Sequence, residues 1–72
     1  MRRFDPRALH AALDAERQAR GISWQQIAEE TGVSVSTITR TREGGRMEVD
    51  GVLQLVGWLG ASVEDFTREA PF

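Results

Sequence analysis

Apolar residues recur at helical spacing along most of the chain, and glycine or proline interrupts the pattern between one stretch and the next. Aspartate or serine precedes the first three stretches and supplies the side-chain oxygen that caps a helix N-terminus. Glycine follows each of the first four, as expected where a helix ends. The pattern predicts no strand and five helical segments, of which four are long: residues 6–20, 24–31, 35–43 and 49–59.

The remaining segment is a short last turn that we expect to bury Val63 and Phe66. Capping boxes are expected at Ser23 with Gln26 and at Ser62 with Asp65. Residues 1–4 are predicted to form a short basic arm, and residues 69–72 a frayed tail. An apolar stripe along the fourth helix is predicted to face the interior: Val49, Val52, Leu55, Val56 and Leu59.

A chain of 72 residues predicts one domain, residues 1–72, of marginal stability. Cysteine is absent and His10 is the only histidine, so neither a disulfide framework nor a cysteine-based metal site is predicted. Without a nucleophile–base pair or a phosphate-cradling loop, we predict no enzymatic activity, no metal and no cofactor. The longest apolar stretch is too short to span a bilayer, which favours a cytoplasmic protein without membrane contact.

The charges are distributed unevenly, although the net charge is only −2. Residues 34–46 carry three arginines against one glutamate, whereas residues 47–72 carry one arginine against five acidic residues. Local potential rather than net charge attracts a polyanion, so the segment around the third helix is the candidate for nucleic-acid contact.

Residues 23–45 combine a short amphipathic helix, a Gly-Val-Ser turn and a second short helix. Two helices joined by so tight a turn cross steeply, and the second then projects as a ridge that fits the DNA major groove. The spacing from Ile27-Ala28 through Gly32 to Ile38 resembles that of the phage-repressor-like helix-turn-helix family, of the Cro/CI or XRE type, and the resemblance covers about residues 7–67. It implies an all-α, five-helix lambda-repressor-like domain with a central helix-turn-helix.

The resemblance also implies a function, a sequence-specific regulator of transcription that binds double-stranded DNA and acts as a repressor. It assigns base contacts to the third helix, where Arg40 can bond guanine O6 and N7 in a bidentate manner. The base-contacting residues implied are Val35, Ser36, Thr39 and Arg40. The phosphate-contacting residues implied are Ser23, Trp24, Gln25, Thr37, Arg42, Gly45 and Arg46. A basic arm of Arg2 and Arg3 is expected to add charge or to reach a groove.

Both tryptophans leave alternatives open. Trp24 stands where the family often has glutamine, so its indole N–H either replaces the usual phosphate contact or the ring is packing. Trp58 either covers helices one and five, which we favour, or joins a dimer patch with Leu53, Phe66 or Phe72. Carboxylates of the first helix are expected to form weak helix pairs, Asp14 with Arg17 and Glu16 with Arg20.

One such module offers a modest DNA interface, so we predict a homodimer on a palindromic operator, in contact through helix five and the end of helix four. A nucleoid-associated location follows from that function. The alternative is a protein-interaction module, such as an antitoxin or an anti-repressor partner with weak DNA binding. The acidic tail and the low net charge favour this second hypothesis.

Overall fold

The computed structural model describes residues 1–70 as a mostly helical fold with one small antiparallel ribbon. The four long helices begin and end where the caps and glycines predict. The elements in chain order are β1 (Arg2–Phe4), α1 (Pro6–Arg20), α2 (Trp24–Thr31), α3 (Val35–Glu43), α4 (Val49–Leu59), a 3-10 helix (Val63–Phe66) and β2 (Thr67–Glu69).

Local signals account for the boundaries of the first three helices. The side chains of Asp5, Ser23 and Ser34 each accept a hydrogen bond, of 3.1 or 3.2 Å, from the backbone N–H three residues ahead. Between α2 and α3, Gly32 has φ 74° and ψ 11°, a left-handed conformation that a residue with a Cβ adopts only at a cost. The tight turn between the two helices therefore depends on this glycine.

One core joins all four helices. Its completely buried members are Leu9, Leu13, Ile27, Ile38, Leu55 and Thr41. Two threonines lie inside it, and both hydroxyls bond to the backbone of their own helix: Thr31 donates to the Ile27 carbonyl at 2.8 Å, and Thr41 donates to the Ile38 carbonyl. Across the described residues no buried side-chain polar atom lacks a partner. The core therefore contains polar side chains without leaving hydrogen bonds unmade.

The prediction that strands are absent is wrong. β1 and β2 pair in an antiparallel ribbon with Arg3 opposite Arg68, and the Ala70 amide donates to the Met1 carbonyl at 2.7 Å. The predicted arm of residues 1–4 is therefore not free, and residues 69 and 70 of the predicted tail are ordered by pairing. Residues 71–72 of that tail lie outside the described residues. Strands of three residues carry too little periodicity to be predicted, and their pairing joins distant parts of the chain.

The fifth helical segment is a single 3-10 turn rather than an α-helix. Its predicted capping box, Ser62 with Asp65, is present, and Phe66 is buried in the core. The stripe of α4 is confirmed at Val52, Leu55 and Val56 but is wrong at Val49, whose side chain is 72% exposed at the first residue of the helix. None of the helices in residues 1–70 combines the length and the apolar character that crossing a bilayer requires.

Candidate nucleic-acid interface

The helix α3 is held to the rest of the protein along one side. Ile38 is 1% exposed and Thr41 is 0% exposed, and the helix packs against α1 and α2. Because successive helical residues are about 100° apart, Ser36 and Arg40 fall on the opposite side. Both side chains are exposed. The packing of α3 therefore leaves a polar outer side uncovered.

Arg40 is the most prominent side chain on that outer side. Its guanidinium makes no hydrogen bond or ion pair with any other residue between 1 and 70. Glu43 is also exposed and lies three positions further along the same side. Simple helical spacing from Ser36 identifies Glu43, which the family resemblance did not. The outer side of α3 thus presents a hydroxyl, a guanidinium and a carboxylate in succession.

Val35 and Thr39, the other two predicted base-contacting residues, lie on the flank of α3. Both are half-buried, and the Thr39 hydroxyl donates to the Val35 carbonyl at 2.9 Å. They line a cavity of about 130 Å³ together with His10, Trp24, Ile38 and Arg42. The structure therefore brings Ser36 and Arg40 together on the outer side and directs Val35 and Thr39 toward the junction of α1, α2 and α3.

The start of α2 lies beside this flank. Ser23 and Gln25 are exposed, and the Ser23 hydroxyl accepts a hydrogen bond from the Gln26 amide. The predicted capping box also requires the Gln26 side chain to bond the Ser23 backbone amide. Instead, the Gln26 side chain donates to Glu30 at 3.2 Å. The first-turn amides have no acceptor within the helix itself, as at any helix N-terminus, and they are oriented to donate to an anion.

Trp24 is packed against α1. Its ring stacks on His10 with 5.0 Å between centroids, and the Arg17 guanidinium lies 5.0 Å from the ring centroid. These contacts support the packing alternative for this tryptophan. Burial lowers the pKa of His10 below its ordinary 6.5; Asp14 opposes this shift, and the positive charges of Arg42 and Arg17 add to it.

Ion pairs on α1 follow the predicted spacing. Arg17 contacts Asp14 at 2.8 Å and Arg20 contacts Glu16 at 2.8 Å, which confirms both pairs. The hydrogen bond from Arg17 also lowers the pKa of Asp14. Because these two arginines are engaged on the protein itself, their charge is not directed toward a ligand.

Trp58 acts as a cover, as favoured, but over α1 and α2 rather than over α1 and the last turn. Its indole Nε1 donates to Glu30 at 3.0 Å, and the Arg20 guanidinium lies 4.4 Å from its ring centroid. Phe66 is in the core, and Phe72 lies outside the described residues. Of the patch considered for Trp58, only Leu53 remains as an exposed member in the part of the chain described.

Most of the remaining residues that are predicted to contact phosphate lie at the C-terminal end of α3. Arg42, Gly45 and Arg46 are exposed there, whereas Thr37 is half-buried near the start of the helix with its hydroxyl 2.9 Å from that of Ser34. Arg7 of α1 reaches the same end and donates to the Glu43 carbonyl at 3.3 Å. One residue beyond the predicted set, Arg7, therefore lies at this end of the candidate interface.

The two arginines of the predicted basic arm point to different places. Arg2 is engaged within the ribbon, donating to the Thr67 hydroxyl at 2.8 and 3.0 Å and lying 3.5 Å from Glu69. Arg3 lines an open groove of about 430 Å³ with Gly45, Arg46 and Arg68. Nothing in the sequence indicated Arg68, because its position depends on the pairing of β1 with β2.

The comparisons with known proteins give one match. The model of the homeodomain-like domain family matches residues 5–45, which contain the Asp5 cap, α1, α2 and α3. No curated protein and no solved structure matches the chain. The matched segment is more than half of the chain and includes the whole α2–turn–α3 unit. The protein therefore belongs to the homeodomain-like family of helix-turn-helix DNA-binding domains.

Proposed function

We propose that this protein binds double-stranded DNA sequence-specifically through α3 and represses transcription. The observation that carries the proposal is the exposed Arg40 guanidinium, which no described residue engages, on the side of α3 opposite Ile38. The helix has nine residues, a length of about 13 Å, and an α-helix of this kind fits the major groove.

Base readout is assigned to the outer side of α3. A planar guanidinium at residue 40 matches guanine O6 and N7, and such a bidentate contact contributes about 1–3 kcal/mol of discrimination. The Ser36 hydroxyl suits several bases, and the Glu43 carboxylate suits the N4 amino group of cytosine. Val35 and Thr39 would contribute from the flank, where a thymine methyl is the complementary group.

Phosphate contacts are assigned to both ends of the helix-turn-helix. At the start of α2 they involve Ser23, Gln25 and the backbone amide of Trp24, where the helix dipole and the first-turn amides favour an anion. At α3 they involve Thr37 and, beyond it, the exposed Arg42, Gly45 and Arg46. Contacts of this kind fix register and affinity, whereas the base contacts determine sequence preference.

We further propose that the protein acts as a cytoplasmic, nucleoid-associated homodimer on a palindromic operator, as the resemblance to Cro/CI-type proteins implies. The 3-10 helix is too short, and its Phe66 too deeply buried, to provide the contact expected of a fifth helix. Exposed apolar side chains are found instead near the start of α4, at Val49 and at Leu53, which is 51% exposed. These two residues are one helical turn apart and are the better candidates for the dimer contact.

Selection of bound sequences from a random duplex pool, followed by an Arg40→Ala variant, tests the proposal. We expect selected sites with two-fold symmetry, and a loss of about 5- to 150-fold in affinity for them, from the 1–3 kcal/mol of a bidentate contact. The preference at one base position should relax. Arg20→Ala is the matched control, since it removes the same charge from the far end of α1.

Equal losses on selected and random duplexes would contradict base readout by Arg40 and would indicate a phosphate contact only. Thermal melting of each variant verifies that the fold is kept. Arg40 is exposed and its guanidinium makes no hydrogen bond or ion pair within residues 1–70, so the melting temperature of the Arg40→Ala variant should equal that of the wild type.

The second candidate is a protein-interaction module, an antitoxin or an anti-repressor partner with weak DNA binding. The exposed Val49 and Leu53, in the acidic segment of residues 47–72, favour it. Binding to random duplex over a salt series separates the two functions. A DNA-binding protein loses affinity steeply as salt rises, because bound phosphates release counterions. A flat response, or no binding at low salt, would favour the interaction module.

A further inference from the structure

The two faces of the terminal ribbon differ in charge balance. On one face Arg2 lies opposite Glu69, and the two side chains form an ion pair. On the other face Arg3 lies directly opposite Arg68. Two positively charged side chains therefore lie side by side on the face that is directed toward the end of α3.

This cationic face continues into a larger groove. Two open grooves, of about 460 and 430 Å³, adjoin at Pro6, Gly44 and Arg68. A Cβ at residue 44 would lie 3.0 Å from the Arg7 guanidinium, so the glycine provides the space in which that side chain rests. We call the combined feature the arginine groove, and its charged lining consists of Arg3, Arg7, Arg46, Arg68 and Asp5.

The arginine groove is lined by more positive than negative side chains among the described residues. Asp5 is its one carboxylate among residues 1–70, and that side chain already accepts the hydrogen bond that caps α1. Arg7 bonds a neutral carbonyl, and no described carboxylate forms an ion pair with Arg46 or Arg68. In a protein with a net charge of −2, such a concentration of arginines favours a polyanionic ligand.

We propose that the arginine groove binds the sugar-phosphate backbone of the DNA duplex, next to the stretch that α3 reads. This inference rests on the proposed function, because it needs the duplex to lie along the outer side of α3. The groove begins at Gly44, the residue that follows α3, and it is open rather than enclosed, as a continuous backbone requires. This proposal adds Arg7 and Arg68 to the residues assigned above to phosphate contacts.

A structural consequence distinguishes this groove from a general positive surface. Arg3 and Arg68 come from opposite strands of the ribbon, so a phosphate held between them bridges the two strands and stabilises the pairing of β1 with β2. The amide of Ala70, which donates to the Met1 carbonyl, reports on that pairing. Its hydrogen exchange should become slower when DNA binds.

The test is an Arg68→Gln variant, measured by fluorescence anisotropy with a random-sequence duplex in a salt series. Loss of one phosphate contact should reduce the slope of log affinity against log salt by about 0.9, and affinity at moderate salt should fall about three- to tenfold on every sequence. Arg68→Lys should keep the wild-type slope because it keeps the charge. Arg20→Gln, about 20 Å away along α1 from Arg7, should also keep it.

DNA binding by the arginine groove is contradicted if the wild type shows a steep slope of log affinity against log salt and Arg68→Gln shows the same slope. The proposed function would then stand. DNA binding by the groove is also contradicted if Arg20→Gln reduces the slope as much as Arg68→Gln, since net charge alone would then explain the loss. A wild type without salt-dependent DNA binding would instead contradict the proposed function. The Arg68 side chain makes no hydrogen bond or ion pair with a described residue, so Arg68→Gln should leave the melting temperature unchanged and, without DNA, the exchange rate of the Ala70 amide as well.

Discussion

The segment matched by the family model, residues 5–45, and the remainder of the chain are built in different ways. In the first, every helix boundary has a local cause. Each helix begins at a capping side chain that accepts a hydrogen bond from the amide three residues ahead, and each ends at a glycine in the left-handed conformation. In the second, the ribbon depends on pairing between the two ends of the described chain, and the 3-10 helix combines its local capping box with a hydrogen bond from the Asp5 amide to the Phe66 carbonyl. Local signals therefore determine where α3 begins and ends, whereas contacts between distant parts of the chain form the ribbon.

The two parts are determined by different kinds of contact, but they do not differ in stability, because they share one hydrophobic core. Leu55 of α4 is as completely buried as Leu9 and Leu13 of α1. A domain of this size has little stability in excess, and residues 1–70 form one hydrophobic core that both parts share. The helix-turn-helix is thus specified locally but stabilised globally.

The largest expected effect tests this shared core. Leu55→Ala removes a fully buried side chain from the region outside the helix-turn-helix and should destabilise the protein by about 2–5 kcal/mol. Because the core is common, both regions should unfold together. Each region carries one tryptophan: Trp24 lies within the matched segment, and Trp58 lies on α4, where it reports on the packing of that helix against α1 and α2.

Thermal melts of Leu55→Ala would be followed by fluorescence in single-tryptophan backgrounds, with Trp24→Phe or Trp58→Phe as the second change. Coincident transitions from both probes support one cooperative unit. If the transition followed by Trp24 kept the melting temperature of its own background while the transition followed by Trp58 came at a lower temperature, the helix-turn-helix would be an independent unit.

A smaller effect tests the local coding of the turn. Gly32→Ala should destabilise the protein by about 1–2 kcal/mol, because alanine resists the left-handed conformation. A methyl group there meets no other atom within 4 Å, so the effect is conformational. Gly57→Ala is the matched control: it lies within α4, is exposed and has equal space, and it should stabilise by up to about 1 kcal/mol.

Urea unfolding of both variants measures the difference in the free energy of unfolding. Similar shifts in the same direction would show that the two glycines act through packing or through the unfolded chain rather than through the backbone conformation of the turn. Opposite signs would sharpen the view that the turn between α2 and α3 is specified by one residue.

The smallest effect concerns pH and is confined to the matched segment, which holds the only histidine. The pKa of His10 in the folded protein is below 6.5, so the folded state binds this proton more weakly than the unfolded chain does. Stability should therefore decrease as the pH falls below 6.5 and through the lower folded pKa. In a His10→Gln variant this decrease should disappear.

Melting temperatures over a pH series measure this contribution, with Trp24 fluorescence as the local probe because its ring stacks on His10. The pKa of Asp14 lies below 3.8, so its contribution is present above pH 3.8 and is lost only at more acidic pH. A wild type whose stability rises on acidification through this range would contradict the assigned direction.

The predictable part of the fold coincides with the locally coded part. Caps and glycines identified all four long helices, whereas the ribbon escaped prediction because three-residue strands have no readable period. The exposure of Val49 was not predicted, because apolar residues at helical spacing do not show how far along the helix the protein interior extends. Thr31 and Thr41 escaped as core residues because their hydroxyls bond to their own helix.

The candidate site divides in the same way. Helical spacing around Ile38 was enough to indicate Ser36 and Arg40 as outward residues, and both are exposed. Arg7 and Arg68 were not indicated, because their approach to Gly44 follows from tertiary packing and from strand pairing. Predicted base and phosphate contacts themselves stay predictions until a complex with DNA is measured.

The freedom of the Arg40 side chain has a consequence for how such a protein diversifies. Residues that support no other part of the molecule can be exchanged without weakening it, so new target preferences can be explored at constant stability. The same separation makes positions 36 and 40 suitable for a randomised library, in which variants would differ in the sequences they select while sharing one melting temperature.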